Sequence, residues 1–167
     1  MIRTGNEYRE SLKDGREVWI DGERVKDLST HQAFKPIIDV RSRMYDMAHE
    51  AQFQEQLTYR DDETDELNSI YHKPPRTRED WYKKDMALDA LIKDIGGIVI
   101  RVSDETVGEM WSLFDGQDVL NEVDPQFAKN IQRHIIQTTR EDPFHVSANT
   151  DPKGDRSKHP QEQDPDM

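Results

Sequence analysis

Pro36-Ile37-Ile38-Asp39-Val40-Arg41-Ser42-Arg43-Met44-Tyr45-Asp46-Met47-Ala48-His49-Glu50 repeats its apolar residues Ile37, Ile38, Val40, Met44, Tyr45, Met47 and Ala48 at helical spacing. Pro36 suits the first turn, where a helix has no use for its missing N–H. One apolar face and one polar face predict a helix buried along one side. A second such segment begins at Thr77, which with Asp80 has the form of a capping box, and Trp81, Met86, Leu88, Leu91, Ile92 and Ile95 form its apolar stripe. With the further helical segments along the chain, the fold is read as mostly α through about residue 141.

The signals extend outward from these two segments. Towards the N-terminus, Thr4 with Glu7 predicts a short capped helix through Leu12, ended by Asp14-Gly15. Glu17-Val18-Trp19-Ile20, Asp21-Gly22 and Glu23-Arg24-Val25 then predict a β-hairpin near 17–25, because Asp-Gly readily takes the left-handed backbone of a tight turn. Arg60 to Glu66 is nearly all charge and predicts a solvated loop, with Leu67 to His72 as a short extended piece and Pro74-Pro75 as a break. Gly96-Gly97 interrupts the second stripe. Ile98-Val99-Ile100 suits a strand or a buried helix equally. Ser103 caps a helix from Asp104 to Phe114, and Asp124-Pro125 opens another through Thr139 that carries Phe127, Ile131, Ile135 and Ile136. The chain thus divides into a helical domain over 1–141 and a different segment over 142–167. There Phe144 to Ala148 alternates weakly as a strand would, and Asn149 to Met167 holds three prolines and a single large apolar side chain. By composition alone that tail is disordered.

The composition excludes several classes of function. The chain has 167 residues, 33% of them apolar, with 23 Lys or Arg against 35 Asp or Glu and a net charge of −12. That balance repels phosphate backbones and argues against nucleic acid as a partner. No apolar run approaches the ~18 residues of a membrane helix, and the first residues lack the apolar stretch of a signal peptide, so a cytoplasmic protein is expected. Zero cysteines exclude disulfides, zinc-thiolate sites and thiolate-held clusters on this chain.

Few residues carry an obvious chemistry. His31, His49, His72, His134, His145 and His159 include no pair at i, i+3 or i, i+4, so no metal site is expected and each is read as an ordinary surface or loop histidine. There is no Gly-rich phosphate loop, G-x-S-x-G elbow or H-E-x-x-H. Two features stand apart. Arg101 follows an apolar run and two glycines; it either leaves the core for solvent or holds an anion or phenolate in a partly dry site. Asp151-Pro152-Lys153-Gly154-Asp155-Arg156 forms a turn whose basic side chains and open backbone also suit a loop laid against a phosphate-bearing cofactor.

Both ends of the chain carry a family signature. Arg3-Thr4-Gly5-Asn6-Glu7-Tyr8-Arg9-Glu10-Ser11-Leu12, Asp14 to Ile20, Gly22 to Val25 and Thr30 to Phe34 resemble the N-terminus of the 4-hydroxyphenylacetate 3-hydroxylase family. Asp151 to Ser157, with Gln163 and Asp164-Pro165-Asp166, resembles the same family further along. The resemblance implies the N-terminal helical domain of an acyl-CoA dehydrogenase-like fold, ending as the middle β domain begins, with 142–167 as the start of that domain or an extended flavin-facing segment. It implies FAD, reduced by a separate flavin reductase, a phenolic substrate hydroxylated ortho to its hydroxyl, and a homo-oligomer or a longer companion chain. Family members are longer, so the chain is expected to be part of an enzyme, or else a non-catalytic partner subunit.

The resemblance also assigns residues. Arg101 and Asp104 match the family's substrate motif, and Glu105 stands where that motif has tyrosine. The family's active-site histidine aligns with Ser147, while His145 lies two residues away, on the same side of a strand. Arg101, His145 and Ser147 are the implied catalytic residues, and Lys153, Gly154, Asp155, Arg156, Gln161 and Gln163 the implied flavin-lining ones. The related 4-hydroxybutyryl-CoA dehydratases need cluster cysteines, which this chain lacks.

Overall fold

The computed structural model of the chain describes residues 2–97, 104–145 and 157–162. Helix α1 (Gly5–Ser11) is capped reciprocally, with the Glu7 N–H donating to Thr4 Oγ1 and the Thr4 N–H to Glu7 Oε2. It lies on α2 (Lys35–Met47) at a distance only glycine allows, since a Cβ on Gly5 would meet the Ser42 carbonyl oxygen at 2.5 Å. The Gly5 N–H donates to Asp46 at 2.8 Å, and the Tyr8 and Tyr45 rings stack with centroids 5.3 Å apart.

The first hairpin pairs β1 (Trp19–Ile20) with β2 (Glu23–Arg24) through Asp21 and Gly22, whose φ values of 50° and 82° give the expected left-handed turn. After α3 (Gln54–Leu57) the chain forms a second antiparallel hairpin of β3 (Thr58–Arg60) and β4 (Leu67–Ser69). The charged run is its loop, organised by the Asp61 carboxylate, which accepts the N–H groups of Glu63 and Thr64. The sequence pattern did not predict β3. It also read Leu67 to His72 as one extended piece, whereas only β4 is extended and Ile70–His72 is a 3₁₀ turn, η1.

Helix α4 (Arg78–Asp94) starts at the predicted capping box, with the Asp80 N–H donating to Thr77 Oγ1 and the Thr77 N–H to Asp80 Oδ2. The predicted stripe is only partly correct, because Trp81 and Met86 are 53% and 58% exposed. The face turned inward is Asp80, Lys84, Ala87 and Leu91. Its two polar members select it. Asp80 accepts Lys73 Nζ at 2.7 Å, and Lys84 Nζ donates to the carbonyls of Ile70 and Tyr71 at 2.9 and 2.7 Å. Gly96 and Gly97, at φ 83° and 77°, close the helix with the Gly97 N–H on the Ile92 carbonyl.

The main core joins Met44 and Met47 of α2, with Ala48 at its C-terminal cap, to Leu57, Ile70, Ala87 and Leu91. A second cluster of Met110 and Trp111 with Phe114 and Ile135 joins α5 (Asp104–Asp115) to α7 (Pro125–Glu141), and α6 (Gln117–Val123) lies between them in sequence. Asp124 caps α7 by accepting the Gln126 N–H at 2.8 Å. Of the apolar residues that α7 carries, Phe127 and Ile136 are about half exposed, while Ala128 and Thr138 are buried. Phe144 and His145 are not in a strand; Val146 to Ala148, Ile98 to Ile100 and Ser103 lie outside the described residues. Among the described residues no helix is long and apolar enough to cross a membrane.

Candidate functional site

The chemistry-bearing groups converge where α7 ends. Asp142 terminates the helix in a left-handed conformation (φ 45°), which aspartate tolerates better than most residues, and its N–H donates to the Thr138 carbonyl at 3.0 Å. The turn sends residues 142–145 back across α2 and η1 as a strap. Three contacts hold it. Asp142 Oδ2 accepts the Arg3 N–H at 3.1 Å, Tyr45 Oη donates to the Asp142 carbonyl at 3.0 Å, and the Arg41 guanidinium lies 4.0 Å from the centre of the Phe144 ring.

Beneath the strap is a cavity of about 70 Å3, walled by Met44, Ala48, Leu57, Leu91 and Phe144 and carrying Arg41, Tyr45, His72, Asp142 and His145 as its polar lining. His72, on η1, is 3% exposed, and its Nδ1 lies 3.5 Å from Asp142 Oδ1. His145 meets the His72 ring edge-on at 5.7 Å and the His134 ring of α7 at 6.2 Å. Three buried nitrogens, Arg41 Nε, His72 Nδ1 and His145 Nε2, have no hydrogen-bond partner among the described residues.

Burial sets the charge states. It pushes the His72 imidazole down to about 3, with nearby His145 and Lys84 acting the same way, and so holds it neutral around pH 7. It pushes the Asp142 carboxyl up to about 6, against the stabilising Arg3 N–H. Burial, then His134, also lowers His145. The 3.5 Å approach of His72 to Asp142 is therefore a neutral imidazole beside a carboxylate, rather than an ion pair. Burial and the Asp142 charge raise Tyr45 well above the usual phenol range, so it stays a donor.

Of the sequence-derived site residues, His145 sits in this strap. Asp104 and Glu105 stand in the first turn of α5, and Gln161 is exposed on a short 3₁₀ turn, η2 (Pro160–Glu162). Arg101, Ser147, Lys153, Gly154, Asp155, Arg156 and Gln163 lie outside the described residues. The expectation of ordinary surface or loop histidines fails for His72, which is buried, because helix periodicity cannot register residues that meet only through tertiary packing. Its place in Leu67 to His72, the short run after the charged loop, is the one sequence hint that it turns inward. Among the described residues no group of three His, Asp or Glu side chains is arranged to hold a metal.

The fold has well-characterised counterparts. The oxygenase component of 4-hydroxyphenylacetate 3-monooxygenase, solved with FAD and 4-hydroxyphenylacetate, superposes with a TM-score of 0.80 at 28% identity over 96% of this chain and 33% of its own. An archaeal 4-hydroxybutyryl-CoA dehydratase superposes at 0.75 with 27% identity over 98% of this chain and 32% of its own. The arrangement is thus the N-terminal helical part of the acyl-CoA dehydrogenase-like fold shared by these enzymes. Residues 4–167 match the family described as 4-hydroxyphenylacetate 3-hydroxylase N terminal, and the chain belongs to that family. By sequence it is 29% identical over 161 residues to the 4-hydroxyphenylacetate 3-monooxygenase oxygenase component of Thermus thermophilus, covering 96% of this chain and 32% of that protein. A 4-nitrophenol 2-monooxygenase oxygenase component from Rhodococcus is 55% identical over 47 residues, 28% of this chain and 9% of its own. The chain spans about a third of the length of the relatives it matches across most of its own.

Proposed function

We propose that this chain forms the N-terminal part of an FAD-dependent aromatic hydroxylase, which uses reduced flavin and O2 to hydroxylate a phenol ortho to its hydroxyl. The observation that carries the reading is the likeness over 96% of the chain to an oxygenase solved with FAD and a phenolic substrate. A flavin reductase supplies the reduced cofactor, and a homo-oligomer or a longer companion chain completes the site. The dehydratase reading is disfavoured, since the chain offers no thiolate for a cluster.

The cavity beneath the strap does not fit a flavin. At about 70 Å3 it is less than half the roughly 150 Å3 that admits benzene, and the flavin ring system is three fused rings. The resemblance instead puts the cofactor against residues 142–167, with Lys153, Gly154, Asp155, Arg156, Gln161 and Gln163 lining it. Bound reduced FAD supplies the activation of O2. Arg101 stabilises phenolate charge through a charge-assisted hydrogen bond, which favours the ionised, more nucleophilic ring. Asp104 and Glu105 orient the substrate. His145, held neutral by burial and with Nε2 unpartnered, or Ser147 beside it, hydrogen-bonds the substrate oxygen.

The test is Arg101→Ala in the full-length protein, with phenol and reduced FAD affinities measured separately. Phenol binding is expected to weaken at least tenfold more than flavin binding. The reverse order would misplace Arg101.

A further inference from the structure

We propose that His72, His134 and His145, with Asp142, form an acid-sensitive latch that releases the strap 142–145 from α2 and η1 while the α1–α4 core stays folded. The geometry is a short column of imidazoles running from exposed His134 through half-buried His145 to fully buried His72, with Asp142 at its inner end. The charged and titratable groups that face the strap are Arg41 and Tyr45 from α2, His49 just after it, Tyr71 from η1, Lys84 from α4 through the η1 carbonyls, Arg3 from the N-terminal side, and His134 from α7. Asp142 is the one carboxylate within ion-pair distance of His72 among the described residues.

The sign follows from comparing docked and released states. Released, an imidazole titrates near its ordinary value of about 6.5; docked, His72 does so at about 3, so its share of docking is complete above pH 6.5 and is lost as pH falls. Asp142 works in the opposite direction. Its docked value of about 6 exceeds the ordinary 3.8, so mild acid relieves the cost of burying its charge. The His72 shift is the larger, and depressed His145 adds to it. Net, acid weakens docking. A first proton goes to Asp142 and removes the carboxylate charge 3.5 Å from His72. A second, on either ring of a pair 5.7 Å apart, places an imidazolium beside Arg41 and Lys84.

Hydrogen exchange of the full chain between pH 7.5 and 4.5, corrected for the intrinsic rate, tests this. Peptides spanning 139–146 are expected to lose about threefold or more of their protection between pH 7 and 5, while α2 and α4 peptides keep theirs. Asp142→Asn keeps the left-handed cap and an acceptor for Arg3 but removes the group whose protonation opposes release, and should steepen the loss of protection between pH 7 and 5 to more than about tenfold. His134→Gln, at an exposed position, should move it to lower pH. Constant protection of 139–146, simultaneous loss from α2 and α4, or variants that fail to shift in opposite directions would each overturn the latch.

Discussion

The α1–α4 region and the α5–α7 region have equally clear helix signals and differ in what those helices are fastened to. In the first, polar ends are tied by bonds distant in sequence: Arg43 reaches Asp94, Lys84 holds the η1 carbonyls, and Gly5 meets Asp46. In the second, the side-chain bonds are mostly local, such as Gln126 to Asn130 and Gln137 to Glu141. The first core has seven buried residues, whereas among the described residues the second has Met110 and Trp111, and Val119 and Val123 are 68% and 75% exposed. Caps and periodicity suffice to write a helix, but burial of an apolar face is what makes it contribute to stability.

The largest test of that contrast is Leu91→Ala. It should cost about 2–5 kcal/mol in chemical denaturation, since Leu91 sits at the centre of the first core; a loss under about 1 kcal/mol would mean that core is loose. Lys84 should give the next effect. Burial lowers its amine to about 7 from an ordinary 10.5, so the folded state disfavours the charged form and stability should rise as pH climbs from 7 to 9.5. In Lys84→Met that rise in urea midpoint should vanish, and the two unpaired η1 carbonyls should cost about 1–3 kcal/mol. Thr77→Ala removes the α4 cap and should cost about 1 kcal/mol, read as a lower Tm. Val123→Ser should change stability by less than about 0.5 kcal/mol, and a larger loss would show that this face is covered.

Much of this architecture was legible locally. Both capping boxes, the Asp21-Gly22 turn and the Asp124 cap depend on residues within a few positions of each other, and each is present. The inward face of α4 was not legible, because Asp80 and Lys84 look solvent-facing until Lys73 and the η1 carbonyls reach them. Strand β3 was hidden because Thr58–Arg60 is too short to show alternation and exists through its partner β4. The histidine column was invisible for a related reason: His72, His134 and His145 meet only once α7 reverses at Asp142. The family resemblance, by contrast, rested on contiguous motifs at both ends of the chain, and the family match extends over residues 4–167.

The central claim is that this chain supplies one wall of a flavin site. Anaerobic titration of the purified protein with reduced FAD, alone and with any longer companion chain, followed by flavin fluorescence, tests it most directly. Saturable binding in at least one of these forms, weakened at least tenfold by Arg156→Ala, is the predicted result. Absence of binding in every form, or binding indifferent to Arg156, would contradict it.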